Sequence, residues 1–138
     1  MNLVVDASFA LAWVLEDEAT PETDRVLDAL GAGGKSFVPA LWHWEIGNAL
    51  LSVERQKRCS GAEASRHLAL LRLLPIELDE AAVSQAWSAT RALAQKHKLT
   101  GYDAAYLELA IRRSLPLASL DAELLAAAKR ESLELLVG

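Results

Sequence analysis

The chain has 138 residues, of which 52% are hydrophobic, and it carries a formal net charge of −5. This length and composition suit one domain with a single core over residues 1–138, and a second domain is not needed. The acidic balance argues against a general nucleic-acid coat protein, but it does not exclude a nuclease whose acids bind divalent cations.

Membrane insertion and secretion are also disfavoured. Four charged residues interrupt the most apolar regions, so no run reaches the ~20 apolar residues of a membrane span: Glu45, Arg72, Asp103 and Glu108. Residues 1–6 lack the basic region of a signal peptide and predict a first strand instead. Cys59 is the only cysteine, so neither an intrachain disulfide nor a cysteine-based metal site is available. We therefore expect a cytoplasmic protein without membrane association.

Short runs of Val, Ile and Leu alternate with longer stretches of helical period, which is the pattern of a parallel α/β domain. A proline precedes two of these runs and ends the helix before each of them. The pattern predicts five strands: Asn2 to Val5, Ser36 to Val38, Ile76 to Leu78, Leu117 to Ser119, and Leu133 to Leu136.

Helices are predicted between these strands. The clearest start is Thr20-Pro21, an N-cap followed by proline at the first helical position. The clearest apolar stripe contains Trp42, Ile46 and Leu50. After an apolar helical stretch from Phe9 to Leu15, the predicted helices are Pro21 to Leu30, Leu41 to Lys57, Ala62 to Leu74, Asp79 to His97, Tyr102 to Ser114, and Ala122 to Glu131.

Three acids lie where a helix begins, and each has a simple structural explanation. Asp6 follows the first strand and Asp121 follows the fourth, so either side chain can cap the next helix. Asp103 comes three residues after Thr100, as in a variant of the capping box. Taken singly, none of these acids indicates a function.

Glu45 is harder to explain structurally. It adjoins the apolar stripe of its helix between Trp44 and Ile46, where an unpaired carboxylate would be costly. The alternatives are a side chain that reaches the rim of the core or one that pairs with a cation such as Arg91.

The four acids together indicate more than any one of them. If the strands before Asp6 and Asp121 are neighbours in the sheet, their carboxylates meet at one edge, and Asp103 can lean over it. Carboxylates this close raise one another's pKa unless a cation compensates them. An all-oxygen site favours Mg²⁺, or Mn²⁺ as a substitute, and such an ion activates water and stabilises charge on a phosphate.

Four sequence blocks resemble those of PIN-domain proteins, and most closely the VapC-type toxins. They are Val5 to Ser8; Val38-Pro39 with Glu45 to Leu50; Leu99 to Tyr106; and Leu117 to Asp121. Each block is weak alone, but four in order span almost the whole chain. The resemblance implies a three-layer α/β/α sandwich on a central parallel sheet of about five strands, with Mg²⁺- or Mn²⁺-dependent cleavage of RNA.

The resemblance also assigns roles to residues. Asp6 and Asp103 would be the principal metal ligands, Asp121 and Glu45 would complete the shell directly or through water, and Glu45 would orient or deprotonate the attacking water. Ser8 and Ser119 provide the hydroxyls of the motif, which would hold a ligand or phosphate by hydrogen bonding. Asn48 would either support the side chain of Glu45 or only pack against the helix.

The same resemblance implies partners: a homodimer, and a groove that accepts the peptide of a VapB-like antitoxin. Four tryptophans are many for a small domain, and exposed ones would suit such interfaces, although core packing is expected for Trp13 and Trp87. Among the basic clusters, Arg112 and Arg113 are the best candidates to contact the RNA backbone. The three histidines show neither metal-ligand spacing nor an evident carboxylate partner.

Two other functions remain open from the sequence. A non-catalytic interaction module on a PIN scaffold would be indicated by the loss of an acid, and all four are present. A phosphoacceptor signalling domain would need an acceptor Asp after a central strand and a Lys after a later one. Asp79 follows a predicted strand, but no lysine ends the strand at Leu117 to Ser119.

Overall fold

The computed structural model describes residues 1–137 of the chain. Its centre is a parallel sheet with the spatial order β3-β2-β1-β4-β5. This arrangement confirms the predicted α/β fold with five parallel strands. The strands are β1 (Asn2–Val5), β2 (Lys35–Val38), β3 (Ile76–Leu78), β4 (Leu117–Ser119) and β5 (Leu135–Val137).

Eight α-helices lie within residues 1–137, together with a short 3₁₀ helix at Glu16–Glu18. Thr20 caps the second helix as predicted, because its hydroxyl accepts a hydrogen bond from the N–H of Thr23 at 3.2 Å. The helices are α1 (Ala7–Leu11), α2 (Pro21–Gly31), α3 (Leu41–Arg55), α4 (Gly61–Arg72), α5 (Ala82–Gln85), α6 (Ala89–His97), α7 (Gly101–Arg113) and α8 (Ala122–Arg130).

The prediction of one helix from Asp79 to His97 is wrong, because the chain forms α5 and α6 with a break between them. Ser88 has φ −118° and ψ −96°, outside the helical region. The hydroxyl of Ser84 donates to the carbonyl of Ala81 at 2.8 Å, and that of Ser88 donates to Gln85 at 3.5 Å. Such side-chain bonds compete with the helical hydrogen-bond ladder.

Other boundaries differ from the prediction by one or more residues; α3 and α4, for example, each end two residues earlier than predicted, at Arg55 and Arg72. The stretch predicted as helical from Phe9 to Leu15 is α-helical only to Leu11 and then continues as turns. The last strand begins at Leu135 instead of Leu133, because the N–H of Leu133 still donates to the carbonyl of Ala128 in α8 at 3.1 Å.

The order of the strands places helices on both faces of the sheet. From β1 the chain winds through β2 to β3 at one edge, and it then returns past β1 to β4 and β5. Connections between parallel strands are right-handed. Those before β3 run toward one edge of the sheet and those after β3 run toward the other, so α1 to α4 lie on one face and α5 to α8 on the other. Consistent with this, α1 packs on α3, and α7 packs on α8.

The core lies on both sides of β1 and β4. Leu3, Val4 and Val5 of β1 are fully buried, and so are the three residues of β4. The predicted stripe of α3 is buried at Trp42, Ile46 and Leu50, and Val53 continues it one turn later. This packing fixes the ends of β1 and β4, from which the predicted acids project.

Trp87 contradicts its predicted place in the core, because its side chain is 93% exposed at the break between α5 and α6. Trp13 does pack against the core, and its indole N–H donates to the carbonyl of Thr23 at 2.8 Å. Along the described part of the chain, every helix is too short or too polar to cross a membrane.

Candidate active site

The pairing of β1 with β4 brings two of the predicted acids to one edge of the sheet. Val5 lies opposite Ala118, and the N–H of Asp6 donates to the carbonyl of Ala118 at 3.0 Å. Asp6 directly follows β1, and Asp121 lies two residues beyond β4. The winding of the chain reverses at β1, and such switch points are where open α/β sheets bind ligands.

Asp6 is buried, with 5% of its surface exposed, and both of its carboxylate oxygens accept hydrogen bonds. Oδ1 accepts from the hydroxyl of Ser8 at 2.7 Å and from the N–H of Phe9 at 3.0 Å. Oδ2 accepts from the hydroxyl of Ser119 at 2.5 Å. Asp6 is therefore the N-cap of α1, and it is also held in a fixed orientation by two serines.

The same two serines connect Asp6 to the loop after β4. The hydroxyl of Ser8 accepts from the N–H of Leu120 at 3.1 Å, and that of Ser119 accepts from the N–H of Asp121 at 2.9 Å. Ser8 and Ser119 were expected to hold a ligand or phosphate. In the structure they position Asp6 relative to Asp121.

Asp121 and Asp103 both lie at helix starts, as the sequence predicts. Oδ1 of Asp121 caps α8 by accepting from the N–H groups of Glu123 at 2.9 Å and Leu124 at 3.1 Å. Asp103 lies in the first turn of α7, where its N–H donates to the hydroxyl of Thr100 at 3.1 Å. Asp121 is therefore both a helix cap and a member of the cluster, whereas Thr100 and not Asp103 caps α7.

Glu45 reaches the cluster from α3 and is half-buried. Its Oε1 accepts a hydrogen bond at 2.5 Å from the hydroxyl of Tyr106, a residue of α7 that is only 1% exposed. Burial and the charge of Glu45 raise the pKa of Tyr106, and Asp6 adds to the effect, so the phenol keeps its proton. The partner of Glu45 is thus a phenol and not Arg91, and sequence reasoning gave Tyr106 no role.

The charges of the four acids act on one another. Burial and repulsion by Asp121 raise the pKa of Asp6, although its hydrogen bonds oppose the rise. Burial raises the pKa of Glu45, and Asp103 and Asp6 raise it further. Burial, Asp121 and Asp6 likewise raise the pKa of Asp103. These shifts show that the structure brings together the acids predicted from the sequence.

No salt bridge in the described chain reaches any of these four acids. Among the described residues, no three His, Cys, Asp or Glu side chains form a group that could enclose a metal ion directly. A hydrated hard cation still fits the donors, because they are all oxygens and carry uncompensated charge. Mg²⁺ usually retains several waters and binds through only one or two carboxylates.

Arg112 and Arg113, predicted to contact RNA, are engaged in ion pairs within the chain. Arg112 binds Oδ2 of Asp79 at 2.6 Å and Oε2 of Glu108 at 2.9 Å, and Arg113 binds Oδ1 of Asp79 at 2.8 Å. These pairs make Asp79 a structural residue at an edge strand, which contradicts the phosphoacceptor alternative. Asn48 is exposed on α3, and its predicted role stays a prediction.

One expectation about the histidines is wrong. The ring Nε2 of His97 lies 2.7 Å from Oε2 of Glu131, so His97 does have a carboxylate partner. The two residues are 34 positions apart in sequence, and only the packing of α6 near the end of α8 brings them together.

An apolar cavity of about 620 Å³ lies beside the acids and not at them. Its wall includes Leu78, Val83, Trp87 and Tyr102, of which Trp87 and Tyr102 are mostly exposed. None of the four acids lines this cavity. The cavity is therefore separate from the acidic site.

Comparison with family models gives one match, the PIN domain, over residues 3–130. A comparison with curated protein sequences found no match.

Several solved structures share the fold. PAE2754 from Pyrobaculum aerophilum is 28% identical, with a TM-score of 0.71 over 99% of this chain and 92% of that one. VapBC2 from Rickettsia felis, bound to a promoter DNA fragment, is 12% identical, with a TM-score of 0.69 over 100% and 99% of the two chains. VapC20 from Mycobacterium tuberculosis, a toxin that cleaves the sarcin-ricin loop, is 18% identical, with a TM-score of 0.61 over 91% and 94%.

Proposed function

The chain belongs to the PIN-domain family, and we propose that it is a metal-dependent endoribonuclease that hydrolyses RNA phosphodiester bonds as the toxin of a VapBC-type pair. The observation that carries this proposal is the acidic cluster. Four carboxylates from four separate elements act on one another at a sheet edge, and no basic side chain of the described residues neutralises them. Such charge is costly to a fold unless a cation binds there.

In this proposal Asp6 and Asp103 are the principal ligands of Mg²⁺, with Mn²⁺ as a substitute. Asp121 and Glu45 would complete the shell through water, because no three of the described acidic side chains are grouped closely enough to bind one ion directly. The ion, when bound, lowers the pKa of water and stabilises the charge that develops on a phosphate during attack.

The chain's own residues supply position and proton transfer. Ser8 and Ser119 hold the carboxylate of Asp6, so that it does not have to be ordered when a substrate arrives. Glu45 orients the attacking water and accepts its proton, and its raised pKa brings it closer to that of an effective base at neutral pH. Because Arg112 and Arg113 are bound to acids within the chain, we leave them out of the proposed RNA contacts.

The proposed partners are RNA as substrate, a VapB-like antitoxin, and a second copy of the chain. Support for an antitoxin comes from the Rickettsia felis VapBC2 structure, whose chain shares this fold over its whole length. Support for interfaces comes from the exposed aromatic residues Trp44, Trp87 and Tyr102, which are 72%, 93% and 68% exposed.

Cleavage of RNA by the purified protein tests the nuclease proposal. We expect cleavage with Mg²⁺ or Mn²⁺ and none with EDTA, and we expect Asp103→Asn to abolish it while circular dichroism shows an intact fold. The matched control is Asp24→Asn, a change of the same kind at an exposed position in the first turn of α2. Equal cleavage by the wild type and the Asp103→Asn protein would refute the assignment.

Growth of a bacterial host tests the role as a toxin separately. We expect expression of the wild type to arrest growth and Asp6→Asn to relieve the arrest at equal protein level. A wild type that cleaves RNA in vitro but leaves growth unaffected would contradict the toxin role and leave the nuclease proposal standing.

A further inference from the structure

Within the described residues, Tyr106 is a buried side chain that contacts the acidic cluster and that the proposed mechanism does not yet use. Its hydroxyl donates to Oε1 of Glu45 at 2.5 Å, and its ring is 1% exposed. An aromatic ring packed this tightly has few accessible rotamers, so its hydroxyl is a fixed point in the structure. The carboxylate of Glu45 is less buried than this ring, and the hydroxyl of Tyr106 is the group that holds it.

The contact joins α3, which carries Glu45, to α7, which carries Asp103. Asp103 and Tyr106 are three residues apart on α7 and therefore share a face of that helix. Glu45 lies on α3 and is 61 positions from Tyr106 in sequence. The hydrogen bond thus sets the position of the Glu45 carboxylate relative to Asp103.

The hydrogen bond also distinguishes the two oxygens of Glu45. Oε1 is occupied by the phenol, and no other hydrogen bond reaches this carboxylate from residues 1–137. Oε2 therefore remains available to water. Replacing Tyr106 by phenylalanine would keep the packing of the ring and remove only the hydrogen bond that distinguishes Oε1 from Oε2.

We infer that Tyr106 is a positioning residue, which holds Oε1 of Glu45 so that Oε2 faces the attacking water in RNA cleavage. This inference rests on the proposed nuclease function. It gives the buried tyrosine of the Leu99 to Tyr106 block a purpose beyond core packing.

Kinetics of Tyr106→Phe test the inference. Partners that orient active-site ligands typically contribute 10–100-fold to activity, so we expect kcat to fall by about that factor with KM unchanged. Thr23→Val is the control, because it removes another fully buried hydroxyl, one that donates to the carbonyl of Thr20 at 2.8 Å, and its activity should equal that of the wild type. In a Glu45→Gln background, Tyr106→Phe should cause no further loss.

Two kinetic results would overturn the inference. One is a Tyr106→Phe protein with wild-type kcat. The other is an equal loss of kcat in the wild-type and Glu45→Gln backgrounds, which would indicate a general structural role. Urea unfolding of each variant shows whether the loss reflects incomplete folding.

A spectroscopic measurement tests the contact without relying on activity. The chain has only two tyrosines, so labelling the tyrosine Cζ with ¹³C gives two resonances, which Tyr102→Phe assigns. In metal-free buffer, Glu45→Gln should shift the Tyr106 resonance and leave that of Tyr102 in place. An unshifted Tyr106 resonance would overturn the inference even if Tyr106→Phe fails to fold. A protein with the expected shift but no RNA cleavage would refute the proposed nuclease instead.

Discussion

The two ends of α7 lie in groups of acids with opposite electrostatic settings. At its start, Asp103 joins Asp6, Glu45 and Asp121, and burial raises the pKa of Asp103. Toward its end, Glu108 and the nearby Asp79 are 4% and 2% exposed and are bound by arginines. There, hydrogen bonds from Arg112 lower the pKa of Asp79 despite its burial.

This difference shows that burial alone does not identify a functional acid. Both regions contain carboxylates removed from water, but only the Asp79 region is neutralised by the chain itself. A buried pair of opposite charges is stable once formed and is costly to break. Uncompensated acids instead favour the binding of a cation, and the start of α7 is therefore the candidate site.

Breaking the neutralised region should have the largest effect on stability. Arg112→Met removes the partner of two buried carboxylates, and we expect it to lower the free energy of unfolding by about 3 kcal/mol. Urea denaturation measures this loss. The control is Arg25→Met, which removes an exposed pair with Glu22 and should cost less than about 1 kcal/mol.

The same Arg112→Met protein, assayed below its unfolding transition, should cleave RNA like the wild type. A specific loss of RNA affinity would instead restore the prediction that Arg112 contacts the RNA backbone.

Mg²⁺ should stabilise the folded protein through the acids at the start of α7 and not through those at its end. At ten times its dissociation constant, Mg²⁺ should add about 1.4 kcal/mol to the stability of the wild type by mass action. Thermal unfolding with and without Mg²⁺ should show this gain for the wild type and for Arg112→Met, but not for Asp103→Asn. The same gain in Asp103→Asn would mean that the ion binds elsewhere.

The smallest expected effect is an opposite response of the two regions to pH. Because its pKa is raised, Asp103 contributes stability below its ordinary value of 3.8, and that contribution is lost as pH rises through the raised pKa. Asp79, whose pKa is lowered, contributes stability above 3.8 that is lost as pH falls through the lowered pKa.

Urea midpoints of the metal-free protein across acidic pH can separate the two contributions. Asp103→Asn should be more stable than the wild type above pH 3.8, by less than about 1 kcal/mol because Asp103 is partly solvated. Asp79→Asn should lose less stability than the wild type on acidification below that pH. Identical pH profiles for all three proteins would refute this account of the two regions.

Sequence pattern alone predicted the elements whose signals are local. Alternating apolar runs and prolines located all five strands, and Thr20-Pro21 located the start of α2. The break between α5 and α6 was missed, because the hydrogen bonds of Ser84 and Ser88 give no periodic signal. The exposure of Trp87 was missed for the same reason, since it follows from that break.

Three of the acids were found in sequence because they lie where a helix begins, and Glu45 because a carboxylate beside an apolar stripe is unexpected. The order of the four blocks then identified the family. Their roles as ligands and as base remain predictions. What sequence could not supply is the set of partners that tertiary packing creates. Tyr106 reaches Glu45 across 61 positions, and Arg112 reaches Asp79 across 33.

Sequence by itself thus determined the parallel α/β fold, the family, and the membership of the acidic cluster, since periodicity and caps are local properties and the order of the motifs is read directly along the chain. Tertiary structure decided which buried acids are neutralised and which are not. Asp79 lies as close to a strand end as Asp6 does, and only packing against the end of α7 brings arginines to one and not to the other. The physical reason is that compensation of a buried charge depends on distance in space, which the order of residues does not encode.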